Sequence, residues 1–463
     1  MTIFLLFSVL YTILLIFVTV SLLLENRNPS RTLLWVFVLI FLPFVGLFFY
    51  FALGKSFRKK RIIPEIFSAN TTEHSENGII KLLLNNGKSA VYTASKIDVY
   101  SSGKETFEAM FEAIRNAKEY IYIEFFIFRN DRISNQLREL LIERAQAGVE
   151  VSLIYDYLGS FKCGKKYWKS LRKAGVQVYP FFPLSAGLSK INCRNHRKIL
   201  VVDGEIGFIG GLNIADRYYF GNKLGQWRDT FVSLQGEAVC GLQNVFLSDS
   251  PPTPSGGRIK EQMSIHTNNG MPFTSPQKGG LGGAVQIVSS GPDTEWETIV
   301  QGMAVVISSA EKYVYIQTPY FVPNELIDNI IILSAMRGID VKMMLPSVSD
   351  TPLLDVCTET YLGRLLRAGV KIYKYNGNFM HCKTIVADDN VSVIGSANLD
   401  ERSFNQNFEV NAFIYDKITA EKCRQLFEND MQSCSLYTYE EWSKRSGFKK
   451  FVSSLARVLS PAL

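Results

Sequence analysis

The sequence predicts an α/β protein: two tandem copies of one unit with mixed, largely parallel sheets, preceded by an N-terminal two-helix transmembrane hairpin. Three observations lead there. From Met1 to Leu53 the chain carries only three charged side chains, Glu25, Arg27 and Arg31. The rest of the 463 residues repeats itself. Within each repeat, helical stretches ending in Ala-Gly or Arg-Gly precede short β-branched runs, the alternation expected of α/β units.

Composition narrows the class. At 20% charged and 47% hydrophobic, the chain is neither disordered nor of low complexity, and its length allows two or three domains. The net charge of +7 is spread too thinly to indicate nucleic acid, and it suits a weak attraction to anionic membrane lipid. The seven cysteines (163, 193, 240, 357, 382, 423 and 434) form no CxxC pair, so they read as free thiols of a reducing compartment. With four histidines in the whole chain, no metal site is expected.

Taken in order, the uncharged run Thr2 to Leu24 is long enough to cross a bilayer with some tilt. A second run, Leu33 to Leu53, is interrupted only by Pro43 and Gly46, which a spanning helix tolerates. The short linker Glu25 to Thr32 makes the pair a hairpin. The first run lacks a basic start and a small-x-small cleavage site, so a removed signal peptide is disfavoured. Lys55, Arg58, Lys59, Lys60 and Arg61 follow the second run and place the N-terminus and the globular part on the cytoplasmic side.

The repeat begins where the membrane end stops. Ala117-Lys-Glu-Tyr-Ile-Tyr-Ile123 recurs as Ala310-Glu-Lys-Tyr-Val-Tyr-Ile316, and Leu171-Arg-Lys-Ala-Gly-Val-Gln-Val-Tyr179 as Leu365-Leu-Arg-Ala-Gly-Val-Lys-Ile-Tyr373. With Gly103 matching Gly291 and Gly148 matching Gly338, the matched segments lie 188 to 194 residues apart, far beyond a solenoid period, which marks a duplicated domain. The expected division is a hairpin at 1–54, a juxtamembrane linker at 55–95, domains at 96–247 and 285–435, an irregular linker at 248–284 between them, and an amphipathic tail at 436–463.

Each copy ends in the segment that carries chemistry. His196, Lys198, Asp203, Gly210 and Asn213 recur as His381, Lys383, Asp388, Gly395 and Asn398 with a constant shift of 185. Residues i and i+2 of a strand share a face, so each histidine and lysine point the same way. Asp203-Gly204 and Asp388-Asp389-Asn390 are hairpin turns that fold the Gly-x-x-Asn end back beside the histidine. Two such hairpins side by side would converge two imidazoles, two ammonium groups and two amides on one point. That set suits a phosphodiester: lysines and amides hold the non-bridging oxygens, one imidazole attacks phosphorus, and the other protonates the leaving alkoxide.

These segments resemble the paired HxKxxxxD motifs of the phospholipase D superfamily. The order of two N-terminal spans, two motifs and a short apolar tail resembles the bacterial cardiolipin synthases over nearly the whole chain, including Asn28-Pro-Ser-Arg-Thr-Leu-Leu-Trp35. The resemblance implies two tandem phospholipase D-like domains and a metal-independent, cofactor-free reaction through a phosphohistidine. In it one phosphatidylglycerol gives its phosphatidyl group to a second and glycerol is released. It also implies that His196, Lys198, Asp203, His381, Lys383 and Asp388 are catalytic, with His196 by analogy the nucleophile and His381 the acid. A carboxylate behind each histidine is implied as well, for which Asp229 and Glu409 match, and Asn213 and Asn398 accompany them at the phosphate.

Two readings stand beside this one: a phospholipase D-type phosphodiesterase that passes phospholipid to water, and an inactive membrane-tethered phospholipid-binding protein. A nuclease is disfavoured because no basic stripe interleaved with aromatics is present. The chain departs from the family after Asp249, where Ser250-Pro-Pro-Thr-Pro-Ser-Gly-Gly257 opens a polar, Gly-rich stretch reaching Gly283 that suits a linker. His74 and His266 lie in polar loops and are expected to be idle. In the tail, Phe448, Phe451, Val452, Leu455, Val458 and Leu459 share one helical face, which suits either an interfacial helix or docking on the protein's own core.

Overall fold

A computed structural model describes residues 2–24, 29–42, 45–50, 77–87, 89–187, 190, 192–251 and 283–459. The basic cluster at 55–61, His74, Pro43, residues 25–28 of the linker, the stretch 252–282 with His266, and the last four residues lie outside the described residues. The chain divides into one compact unit of 1–57 with 182–193 and another of 58–181 with 194–463.

The first unit holds helices α1 (Thr2–Leu24), α2 (Pro29–Phe41) and α3 (Val45–Phe49). Val18 and Leu22 of α1 bury against Leu39 and Leu47, with Trp35 and Tyr50 closing the cluster. The second apolar run is therefore two helices, not one, the first ending at Phe41 just before Pro43. Among the described residues no helix is long and apolar enough to cross a membrane. The backbone of α1 is helical over 23 uncharged residues, but its side chains are described without interruption only from Val9. At about 1.5 Å per residue the 13 residues of α2 fall short of a hydrocarbon core.

In the second unit α4 (Gly78–Gly87) precedes the first copy. That copy runs β1 (Val91–Ser102), α5 (Gly103–Arg115), β2 (Tyr120–Phe125), α6 (Arg132–Gln146), β3 (Glu150–Asp156), α7 (Lys165–Lys173), β4 (Gln177–Phe181), β5 (Arg194–Asn195), β6 (Lys198–Val202), β7 (Ile206–Gly210), α8 (Asp216–Tyr219), β8 (Trp227–Gly236) and α9 (Ala238–Asp249). The second copy keeps the same order. It runs β9 (Ala284–Ser290), α10 (Thr298–Ser309), β10 (Tyr313–Gln317), β11 (Phe321–Val322), α11 (Glu325–Met336), β12 (Asp340–Pro346), α12 (Pro352–Arg367), β13 (Lys371–Tyr375), β14 (Phe379–Met380), β15 (Thr384–Ala387), β16 (Val391–Gly395), β17 (Leu399–Asp400), α13 (Glu401–Asn405), β18 (Asn407–Tyr415) and α14 (Lys417–Met431). β19 (Cys434–Tyr437), α15 (Tyr439–Ser443) and α16 (Gly447–Leu459) complete the chain.

Local sequence explains these elements. Ser102 caps α5 by accepting the Glu105 N–H at 3.2 Å, and Phe107, Met110, Phe111 and Ile114 form its buried stripe. The Ala-Gly and Arg-Gly pairs read in the sequence are helix ends: Gly148, Gly175, Gly338 and Gly369 have φ of +94°, +93°, +89° and +96°. Open space surrounds each of the four, so the left-handed backbone and not crowding calls for glycine there.

The first sheet has the order β1-β8-β7-β6-β2-β3-β4, and the second repeats it as β9-β18-β16-β15-β10-β12-β13, with β19 added at the edge. Within these two strand orders only β2–β3, β3–β4 and their equivalents are parallel. The sheets are mixed, as expected, but predominantly antiparallel, which corrects the expectation of largely parallel sheets. The helix–strand alternation covers only the first part of each copy. The motif segment then closes as a tight hairpin, and a tight turn can join only antiparallel strands.

Helices α5, α6 and α7 cover one face of the first sheet, and α10, α11 and α12 the corresponding face of the second. The inner faces meet each other: Ile199, Val201, Ile209 and Val232 share a core with Met344, Val386, Ile394 and Val410, joined by Phe246 of α9 and Phe427 of α14. Full burial of each such side chain is worth about 1.5–3 kcal/mol. At the edge, Val91 to Thr93 of β1 pair with β9 and tie the two sheets together. In the tail, α16 docks through its small residues, with Ser453 and Ala456 buried, while Phe448, Phe451 and Val458 are 76%, 66% and 72% exposed.

Candidate active site

The site lies where the two motif hairpins meet. Two-residue strands bring it about: Asn195 of β5 pairs in parallel with Phe408 of β18, and Met380 of β14 with Arg228 of β8. The next residue in each case is the histidine. The His196 N–H donates to Phe408 O at 2.9 Å, and the His381 N–H to Arg228 O at 2.7 Å. One residue beyond each acceptor carbonyl stands a carboxylate, Glu409 or Asp229. Each histidine is thereby set against the carboxylate of the other copy.

Backbone pairing in turn fixes the rings. His196 Nδ1 lies 2.9 and 3.0 Å from the two Glu409 oxygens, and His381 Nδ1 lies 2.8 Å from Asp229 Oδ2. An ionised carboxylate only accepts, so Nδ1 carries the hydrogen and the lone pair is on Nε2. Glu409 is held further by Ser396 Oγ and by Asn407 Nδ2 (3.1 Å). Asp229 accepts the Thr230 N–H at 2.8 Å. The copies differ at one small position: Gly211 stands where Ser396 stands in the second copy. A Cβ on Gly211 would come within 2.3 Å of Asp229 Oδ1.

Both lysines lie on the predicted face. Lys198 donates to His196 O, and Lys383 donates to His381 O at 2.6 Å with its ammonium 3.1–3.2 Å from both ring nitrogens. All four groups are buried. Burial first, then the lysine charges against the opposing pull of Glu409, lowers His196 to about 4. Burial and Lys383 hold His381 well below its ordinary value. Burial lowers Lys198 to about 7 and lowers Lys383 as well. Lys383 acts on His196, and Lys198 and His196 act on His381, so the two motifs share one electrostatic field. The two carboxylates diverge. Burial raises Asp229 to about 6, whereas at Glu409 burial is overcome by His196, Lys198 and the Ser396 hydroxyl together, which leave the carboxyl below its usual range.

Asp203 and Asp388, expected to be catalytic, stand away from the imidazoles. Each carboxylate accepts three successive backbone N–H groups at 2.7–2.9 Å, from Lys118, Glu119 and Tyr120 in one copy and from Glu311, Lys312 and Tyr313 in the other. They sit at the far end of the motif strand, about 16 Å from the lysine along an extended chain. Asp203 and Gly204, like Asp388 and Asp389, have positive φ, as a type I′ turn requires. The two amides are unequal. Asn213 accepts the Ile127 N–H at 3.1 Å and donates to Tyr218 OH at 2.8 Å, while the buried Asn398 Oδ1 has no donor among the described residues.

Aromatic rings close the site, with Phe126 centred 5.0 Å from His196, and Tyr218, Trp227, Phe379 and Tyr320 centred 5.3–6.3 Å from His381. Tyr320 OH donates to Asp350 at 2.5 Å. Of the aromatic groups after the two equivalent strands, Phe126 and Tyr320 face the imidazoles, while Phe125, Phe128 and Phe321 are core. Sequence reasoning missed Ser396, Trp227 and Asp350 as site residues. Asn407 was within reach of it, because the alternation Asn407, Glu409, Asn411 puts all three on one strand face.

The sequence matches the family described as cardiolipin synthase, PLD-like domain, over residues 110–226 and 303–431, and that described as phospholipase D-nuclease N-terminal over 13–55. It is 37% identical to cardiolipin synthase 2 of Bacillus anthracis, over 95% of this chain and 88% of the relative. It is 36% identical to the major cardiolipin synthase of Bacillus subtilis (strain 168), over 100% of this chain and 98% of the relative. The crystal structure of a phosphatidylserine synthase from Haemophilus influenzae Rd KW20 shares the fold at a TM-score of 0.62 and 15% identity, covering 84% of this chain and 100% of that one. With matches to both halves and near-complete overlap with these relatives, the chain belongs to the cardiolipin synthase family of phospholipase D-like proteins.

Proposed function

We propose that this chain is a phosphatidyltransferase that makes cardiolipin from two molecules of phosphatidylglycerol, releasing glycerol. The observation that carries the mechanism is the pair of crossed imidazole–carboxylate contacts with a lysine beside each. His196 Nε2 attacks phosphorus as the bond to the headgroup glycerol breaks, and His381 gives that alkoxide a proton. A hydroxyl of the second phosphatidylglycerol then attacks the phosphohistidine, His381 takes its proton, and the P–N bond breaks to restore His196. Lys198 and Lys383 take up the charge on the non-bridging oxygens. The unequal carboxylates favour His196 as nucleophile, because an ionised Glu409 stabilises the positive charge its ring acquires on phosphorylation. Bound phosphodiester draws protons towards His381 and both lysines, against the burial that lowers them.

The chain divides functionally as 1–54, 55–95, 96–247, 248–284, 285–435 and 436–463. The N-terminal runs anchor it as a two-span hairpin, with the catalytic domains facing the cytoplasm beside the cations at 55–61. The exposed aromatic face of α16 lies at the lipid interface, with Lys449 and Lys450 for anionic head groups.

Incubation of the purified full-length protein with phosphatidylglycerol in mixed micelles tests this reading. Cardiolipin and glycerol are the expected products. Phosphatidic acid would assign a hydrolase, and an absence of turnover a lipid-binding protein.

A further inference from the structure

Behind the two imidazoles lie two buried networks of similar make-up, and the difference at one strand position, Glu124 against Gln317, is informative. In the second copy Gln317, at the end of β10, donates Nε2–H to Asp430 Oδ2 at 2.8 Å, and Asp430, on α14, receives Arg228 Nε at 3.0 Å. Arg228 supplies the carbonyl that accepts the His381 N–H and directly precedes Asp229. A glutamine, an aspartate on the following helix and an arginine thus hold one histidine–carboxylate pair.

In the first copy, Glu124 on β2 takes the place of Gln317 and Asp249 at the end of α9 that of Asp430, while the arginine comes from a different position, Arg197 of the motif segment itself. Arg197 Nη1 donates to Asp249 Oδ2, and Arg197 Nε to Glu409 O at 3.2 Å. Asn195 Nδ2 reaches Glu124 Oε1 and, at 3.3 Å, Asp249 Oδ2. Asn195 and Arg197 flank His196, so one network grips the chain on both sides of that histidine and grips its partner Glu409 too. Glu124 and Asp249 are fully or almost fully buried. Glu124 Oε2 has no donor among the described residues, and the side chain faces the Asp249 carboxylate. Two buried carboxylates that share Arg197 among the described residues cannot both ionise without large cost.

We propose that Glu124 is a protonated acid that donates its hydrogen to Asp249, as the Gln317 amide does to Asp430, and that the Glu124–Asp249–Arg197 relay positions His196 and Glu409. Burial and the Asp249 charge, which raise Glu124 well above the usual carboxylate range, agree with this. The three act on His196 and Glu409 through Asn195 and the Glu409 carbonyl, so they are positioning residues. Their kinetic role rests on the reading of His196 as a reacting group.

Two measurements on the full-length protein test the relay. Glu124→Gln keeps the donor and the shape, and its kcat for cardiolipin formation should stay within about twofold of the parent. Glu124→Ala should lower kcat on the order of 10–100-fold, with KM nearly unchanged. A Glu124→Gln protein as impaired as Glu124→Ala would overturn the proposal, since an ionised carboxylate would then be what the site needs. Infrared difference spectra of parent against Glu124→Gln at neutral pH should show the carbonyl stretch of a protonated carboxylic acid, and its absence would equally overturn it. The spectrum needs neither turnover nor the alanine variant. A protein that shows the band but makes no cardiolipin would sink the transferase reading and leave the relay in place.

Discussion

His196 holds its proton weakly, and this has a direct kinetic consequence. Burial, only partly offset by Glu409, lowers the ring to about 4. The attacking form is therefore already present at neutral pH and is lost only as the pH falls to that value. The acid limb of kcat/KM should lie near pH 4 and not near the ordinary histidine value of about 6.5. Glu409→Gln removes a cause that raises the ring, so it should move the limb lower still, readable in the same pH–rate profile. Asp203 makes a contrasting case. Asp203→Ala strips the acceptor from three backbone N–H groups and should cost about 1–3 kcal/mol in denaturant unfolding. The kcat of the folded fraction should be unchanged, because the carboxylate stands at the turn and not at the imidazoles.

Among the elements, the hairpins β6–β7 and β15–β16 are near copies, but the strands they lie beside impose different limits. β8 brings the short Asp229 so close to Gly211 that no Cβ fits, whereas β18 carries the longer Glu409 and leaves space for the Ser396 hydroxyl that binds it. Gly211→Ser should displace Asp229 and lower kcat by about 100-fold, the scale of an ångström's misplacement in a reacting constellation. Ser396→Gly removes one hydrogen bond and inserts nothing, so its loss should be smaller. Steady-state kinetics of the two variants check the ranking. The turns of these hairpins are legible in the sequence: Asp203-Gly204 and Asp388-Asp389 announce their positive φ through residue type. The direction of the flanking strands is not, because the helix–strand alternation upstream of a tight turn carries no information on the strands that the turn joins.

Across the whole molecule, each imidazole depends on the opposite copy. A double-mutant cycle in kcat/KM should therefore couple His196 to Glu409 by about 0.5–3 kcal/mol, and His381 to Asp229 similarly. The pairs within one copy, His196 with Asp229 and His381 with Glu409, should couple less. The reverse ranking would contradict the crossed arrangement.

Read alone, the chain determined the duplication, the α/β character, the shared face of each histidine and lysine, and the turns that fold each motif back. These rest on strand and turn periodicities spanning a few residues, which local chemistry dictates. Only the tertiary structure decided that the sheets are mainly antiparallel and that Asp203 and Asp388 tie backbone instead of serving the imidazoles. It also decided that Glu409 partners His196 while Asp229 partners His381, and that Arg197 and Asp249, 52 positions apart, meet behind the site. Those outcomes depend on which distant strands become neighbours when two apolar sheet faces bury against each other. No spacing within a single segment encodes that choice.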